Sequence, residues 1–233
     1  MKEIMDSGRI EAYLREYQLA ETFPKPLLTH LRLYHFEQGE LICSKGDPAA
    51  VLYVLVKGKV KVFTTSAEGK TIILCFRTPL DLIGDVEYVQ DAEYLNTVEA
   101  VSPVLMIGIS YRLLRKHASI HPPLLQFLLK MITHKFYTKS ISMSFSLLYP
   151  VEVRLASYLL SVSYDKSDEE FRGELSTYKL TDVANLIGTS YRHLNRIIRK
   201  LSSEQLIERR RGSIVVIDRE KLSELAGSNI YEK

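Results

Sequence analysis

The chain has 233 residues, enough for two ordinary domains, and its 46% apolar and 25% charged residues exclude a disordered, fibrous or low-complexity protein. No stretch approaches the roughly 20 apolar residues of a bilayer span, and Met1-Lys2-Glu3-Ile4-Met5-Asp6 lacks the apolar core of a signal peptide, so a cytoplasmic protein without a membrane partner is expected. The net charge of +3 is unevenly spread: residues 189–221 hold nine Lys or Arg against four Asp or Glu, a surplus of five, which leaves −2 elsewhere and reads as a local nucleic-acid footprint.

Residues 1–30 form an N-terminal helical segment, with Ile10, Tyr13, Leu14 and Tyr17 at helical spacing before Pro24 and Pro26 interrupt. From Leu31 to Ile109 the pattern changes to short runs of Val, Ile, Leu, Phe and Tyr. Turn residues separate them at Gly39, Lys45-Gly46-Asp47-Pro48, Lys57-Gly58, Glu68-Gly69-Lys70 and Ile83-Gly84-Asp85, so residues 31–120 are expected to form a β-barrel or sandwich. Within it, the apolar runs flanking Lys57-Gly58 predict a tight hairpin. Cys43 and Cys75 are the only cysteines, far apart, without a CxxC motif or clustered histidines. They cannot hold an iron–sulfur cluster or structural zinc, and they read as two buried thiols or, alternatively, a redox-sensing pair. No His lies between Leu41 and Ile109, which argues against a cupin-like metalloenzyme; no catalytic residue, metal or cofactor is expected.

Pro122-Pro123 fits the first turn of a long helix over residues 121–148. Phe127, Met131, His134, Thr138, Ile141, Phe145 and Leu148 recur at alternating spacings of four and three, which predicts a coiled-coil dimer interface. The competing reading is that this stripe packs on the barrel. Tyr149-Pro150 ends that helix and opens a second domain over residues 149–233, with a helix at Val151–Val162 and a polar loop at residues 163–170.

Between Leu180 and Leu201 the residues spell a helix-turn-helix. Thr181 is placed to cap the first helix, Val183, Ala184 and Ile187 give its inner face, Gly188 stands where it must end, and Ser190 caps a second helix faced by Leu194, Ile197, Ile198 and Leu201. Tyr191, Arg192, Asn195 and Arg196, early on the second helix, carry the donors that read base edges in the major groove. Arg199, Lys200, Thr181 and Ser190 are assigned to phosphates. The following segment, from Leu206 to Ile217, reads as a β-hairpin wing whose turn arginines Arg209, Arg210 and Arg211 also suit the DNA backbone.

Taken together, these motifs resemble the family of the cyclic-AMP receptor protein and the fumarate-nitrate reductase regulator (Crp/Fnr). The likeness runs from about Leu31 to Val216 through Gly46-Asp47, the stretch from Leu52 to Val60, Glu68-Gly69-Lys70, Leu82-Ile83-Gly84-Asp85, the helix-turn-helix and the wing. The run from Gly188 to Leu194 is similar to the YeiL-like branch. The resemblance implies an α+β chain: an N-terminal double-stranded β-helix of the cyclic-nucleotide-binding jelly-roll type, a long dimerisation helix and a C-terminal winged helix-turn-helix. It implies a homodimeric, sequence-specific transcription regulator of a palindromic operator in double-stranded DNA, with RNA polymerase as a further partner if it activates.

The resemblance also places an effector pocket at Gly84, Asp85, Asn96, Thr97 and Ser140. Cyclic-AMP-binding members set a glutamate and then an arginine in the turn after Ile-Gly. Here Asp85 stands for the glutamate, but no Arg or Lys occurs from Val86 to Ala100. A buried phosphate without a cation is costly, so cyclic AMP is not the expected effector. An unidentified small organic effector or a redox signal through Cys43 and Cys75 remains the alternative. The six histidines, His30, His35, His117, His121, His134 and His193, leave haem open, although scattered histidines are more often structural.

Overall fold

Alternation and helical periodicity together account for the architecture of the computed structural model, which describes residues 1–67, 69, 71–118, 120–162, 174–176 and 180–227. The chain divides into two units, Met1–Lys135 and Phe136–Lys233.

In the first unit the elements run β1 (Lys2–Ile4), α1 (Ser7–Glu16), α2 (Lys25–Leu28), β2 (Arg32–Phe36), β3 (Leu41–Cys43), β4 (Val51–Lys57), β5 (Val60–Thr65), β6 (Thr71–Arg77), β7 (Leu82–Ile83), α3 (Asp85–Gln90), β8 (Thr97–Ala100), β9 (Val104–Ser110), α4 (Tyr111–Ala118) and the start of α5 (Pro122–Leu148). The strands form two antiparallel sheets, in the orders β1-β2-β9-β4-β7 and β3-β8-β5-β6. Strand β4 shows why its sequence is apolar almost throughout. Leu52, Val54 and Val56 point to one side and join a core with Ile10 and Leu14 of α1, Leu27 of α2, Leu114 of α4, and Leu124 and Leu128 of α5. Tyr53 and Leu55 point to the other side and pack with Phe36, Cys43, Val60, Val98 and Met106 between the sheets. A strand covered on both faces has no solvent side on which to place polar residues.

Two details differ from expectation. Residues 2–4 are a strand paired with β2, so the N-terminal segment adds to the barrel's sheet as well as packing α1 on it. The hairpin predicted at Lys57-Gly58 is a corner instead: β4 pairs with β7 and β9, whereas β5 pairs with β6 and β8 in the other sheet. Gly58 has φ +88, and a side chain there would run into the Pro103 carbonyl, so this glycine serves both a left-handed bend and a close approach of backbones. A short apolar–Gly–apolar pattern cannot tell a hairpin from a sheet-switching corner. Glu68 and Lys70 of the expected turn lie outside the described residues.

The sheet register also separates the two cysteines, and only Cys43 of the two expected buried thiols is buried, Cys75 being half-buried. Cys43 is paired with Val98, Val98 with Val62, and Val62 with Cys75, so the cysteines sit on the two edge strands with two strands between them. Three strand spacings amount to roughly 14 Å, well beyond disulfide reach. Burial and the neighbouring charge of Glu87 push the Cys43 thiol up to about 12, which keeps it protonated near neutral pH.

The second unit contains the remainder of α5, α6 (Val151–Val162), β10 (Glu174–Ser176), α7 (Leu180–Leu186), α8 (Tyr191–Ser203), β11 (Ile207–Arg210), β12 (Ser213–Val216) and α9 (Arg219–Leu225). Helix α6 packs against α9, and the three strands pair antiparallel in the order β10-β12-β11. The polar loop expected at residues 163–170 lies outside the described residues. Among the described residues no helix is long and apolar enough to cross a membrane.

Candidate nucleic-acid interface

The turn between α7 and α8 is built by three local devices. Gly188 takes φ +67, which releases the chain from α7. Arg154 of α6 donates to the Ile187 carbonyl at the end of that helix, and a β-carbon on Gly188 would lie 3.3 Å from the same guanidinium. Ser190 then caps α8, its hydroxyl accepting from the His193 N–H at 3.2 Å. Leu194, Ile197, Ile198 and Leu201 are buried beneath the helix. Its opposite side presents Tyr191, Arg192, Arg196 and Arg199 to solvent, with Asn195 half-buried among them. These side chains, with Ser190, His193 and Arg209, line a groove of about 810 Å³. Thr181 differs from expectation: α7 begins one residue earlier, at the fully buried Leu180, so Thr181 lies exposed in the first turn rather than capping it.

The wing is the β11–β12 hairpin closed by Arg211-Gly212, with Arg210 opposite Ser213 and Gly212 at φ +88. Alternation gives its arginines different tasks. Arg209 shares a face with the buried Ile207 and its partner Ile214, and it turns toward α8, where its Nη1 donates to Asn195 Oδ1 at 3.2 Å. Arg210 lies on the other face and is paired with Glu208 at 2.9 Å, while Arg211 is exposed at the tip. Lys200, expected on phosphate, pairs with Glu152 at the start of α6 at 2.7 Å, and that interaction holds its ammonium charged by raising its pKa.

In the first unit the expected effector residues have partners of their own. Gly84 is left-handed at φ +88 and its carbonyl accepts from the Tyr111 hydroxyl at 2.5 Å. Asp85 is 2% exposed, and both of its oxygens lie 2.9 Å from Lys135 Nζ. The same ammonium donates to the Leu82 carbonyl at 2.6 Å and pairs with Asp81 at 3.1 Å, which in turn meets Arg77 at 3.1 Å. The Thr97 hydroxyl accepts from the Lys45 N–H at 3.1 Å, and the Asn96 carbonyl accepts from the Cys43 thiol at 3.8 Å. The Leu95 N–H donates to Glu87 at 3.1 Å, closing the short link from α3 to β8 that carries Asn96 and Thr97. Ser140 is exposed on the second unit's part of α5.

Residues 33–120 match the family model of the cyclic nucleotide-binding domain, and residues 153–225 match that of the Crp-like helix-turn-helix domain. The chain belongs to the Crp/Fnr family. It is 24% identical over 213 residues to the regulatory protein YeiL of Escherichia coli O157:H7, covering 91% of this chain and 94% of that one. It is 25% identical over 193 residues to the cAMP-activated global transcriptional regulator CRP of Pasteurella multocida, covering 81% and 91% respectively. A Crp-family transcriptional regulator from Thermus thermophilus superposes with a TM-score of 0.72 at 22% identity, covering 84% of this chain and 98% of that one. The protein is thus a Crp/Fnr-type transcription regulator: a nucleotide-binding-type β domain, a long helix and a helix-turn-helix DNA-binding domain.

On the long helix of this Crp/Fnr member, the expected seam and the exposed apolar face do not coincide. Phe127 and Met131 pack against the barrel core, and Phe145 is buried with its ring 4.7 Å from that of Tyr149. Ile141 and Leu148 are exposed, His134 is exposed, and Thr138 is half-buried. The apolar residues that face solvent include Leu125, Leu129, Phe136, Met143 and Leu147. At about 100° per residue these five fall within roughly 40° of one another, nearly opposite the expected stripe. A helix apolar on several sides satisfies a four-and-three spacing in more than one register, so periodicity alone could not choose. Lys135 was missed for a similar reason: it lies 50 positions from Asp85, and only the fold brings them together. Arg154 was missed too, having no sequence neighbour that marks it.

Proposed function

We propose that this protein binds a two-fold-symmetric DNA operator as a homodimer, each α8 entering a major groove, and that cyclic AMP is not its effector. The observation that carries the DNA reading is the capped, amphipathic α8. Its solvent face gathers four guanidinium groups, from Arg192, Arg196, Arg199 and the wing's Arg209, around a single groove. Tyr191, Arg192 and Arg196 are the base readers, whereas Arg199, Arg211, Ser190 and Thr181 contact phosphate. The dimer is assigned to the exposed stripe of α5, from Leu125 and Leu129 through Phe136 to Met143 and Leu147, because a repeating apolar row on a long helix is buried by a second copy of itself.

Against cyclic AMP stands the chemistry around Asp85. Lys135 already serves four oxygen atoms with three N–H donors, so a cyclic phosphate would meet two carboxylates and a cation with no donor left over. Selection from a random double-stranded pool, followed by gel shifts, tests the DNA reading: enrichment of a palindrome is expected, and failure to enrich any sequence overturns it. Titration calorimetry with cyclic AMP is expected to show no binding. Micromolar binding would overturn the effector reading alone.

A further inference from the structure

Asn195 and Arg209 make a closed arrangement that the separate reading of recognition helix and wing does not use. Asn195 spends both ends of its amide inside the protein: Nδ2 donates to the Tyr191 carbonyl at 3.0 Å, and Oδ1 accepts from Arg209 at 3.2 Å. One N–H and one lone pair of the amide remain, but with Nδ2 tied to the α8 backbone and Oδ1 to Arg209 the plane of the amide is fixed from within the protein, and with it the guanidinium it holds. Arg209 stands differently. One N–H is fixed by Asn195, and the planar guanidinium keeps its other donors in a rigid fork on the side of the groove. The strand's alternation commits it to that side, because Ile207, two residues earlier, is buried under α8, while Arg210 points the other way and is neutralised by Glu208 at 2.9 Å.

We infer that Arg209 is a specificity-determining residue and Asn195 its brace: the pair acts as one reading unit, in which Asn195 fixes the rotamer of Arg209 and the arginine presents its fork to an acceptor pair on a base edge. This inference rests on the DNA-binding reading above. It gives Asn195 a positioning role and moves Arg209 from the DNA backbone to the base-reading set.

The test measures dissociation constants of the full-length protein for its selected operator and for a scrambled duplex, over a series of salt concentrations. Arg209→Lys keeps the charge and removes the fork, so discrimination is expected to fall about tenfold or more with the salt slope unchanged. Arg210→Ala is the control and should leave the ratio intact. Asn195→Ala should lose part of the discrimination, and Asn195→Ala combined with Arg209→Lys should lose no more than Arg209→Lys alone, whereas Asn195→Asp, which keeps an acceptor for the guanidinium, should restore it. Arg209→Lys with undiminished discrimination, or additive losses in the double variant, overturns the inference while leaving DNA binding in place. Wild-type protein that enriches no sequence overturns the DNA-binding reading itself.

Discussion

Replacing Lys135 by Met removes the cation that compensates Asp85, and the structure sets the size of the effect. The Asp85 side chain is 3% exposed and that of Lys135 17%, so the pair is largely out of water, and stranding one member of such a pair costs about 3–5 kcal/mol. Residual water access to Lys135 favours the lower end. Asp81 keeps Arg77 and the Leu82 N–H, so no second stranded charge adds to the loss. We therefore expect about 3 kcal/mol, or a fall of roughly 9 °C in the melting of the β domain at about 3 °C per kcal/mol. Asp85→Asn leaves Lys135 with Asp81 and the Leu82 carbonyl and should cost only about 1.5–2 kcal/mol, the low end of the range for losing a charged hydrogen bond. The double variant Lys135→Met/Asp85→Asn should recover at least half of the loss of Lys135→Met. Near-ultraviolet circular dichroism during thermal melting reports the barrel through its packed tyrosines Tyr53 and Tyr94. A Lys135→Met protein that melts within about 2 °C of wild type, less than 1 kcal/mol by the same scale, would refute this reasoning, as would a double variant no more stable than Lys135→Met.

Three further outcomes are expected. Arg196→Ala should remove about tenfold or more of the discrimination between operator and scrambled DNA at fixed salt, with scrambled binding reduced far less; gel shifts showing equal losses would contradict its role at a base edge. Phe136→Glu should convert the proposed dimer to a monomer in sedimentation equilibrium, whereas Phe127→Ala should lower the melting temperature without changing the mass; the opposite pattern would return the interface to the other stripe of α5. At pH 8 a thiol raised to about 12 is ionised in roughly one molecule in ten thousand, so iodoacetamide should leave Cys43 unmodified until pH rises toward that value or the protein unfolds. Rapid labelling of Cys43 in native protein would show that the burial is wrong.

The helix-turn-helix was legible because its information is local. Gly188, Ser190 and the buried row from Leu194 to Leu201 specify turn, cap and inner face within about twenty residues; the structure moves Thr181 from cap to first turn and adds the clamp from Arg154. The β domain was legible as strands but not as pairings. Each strand's composition reports that it is covered, whereas the sheet to which it belongs depends on partners far along the chain, as the Gly58 corner illustrates. Helix α3 was invisible because its six residues are too few to display a period. The same limit applied to the site residues. Lys135 and the Arg209–Asn195 contact are tertiary facts, and a chain read in order offers no reason to pair Asp85 with a lysine on a later helix.

The position of β9 has a consequence for how the protein is made. It is the strand that joins β2 to β4, and without it the five-stranded sheet has no connection between its halves. On a ribosome, β2 with β1 and β4 with β7 emerge first, and each pair must wait with one apolar strand edge open until Ser110 has cleared the exit tunnel. Closing pairings across such long stretches of chain is slow, so the β domain should be the late and aggregation-prone step of synthesis, rescued once β9 slides between its two partners.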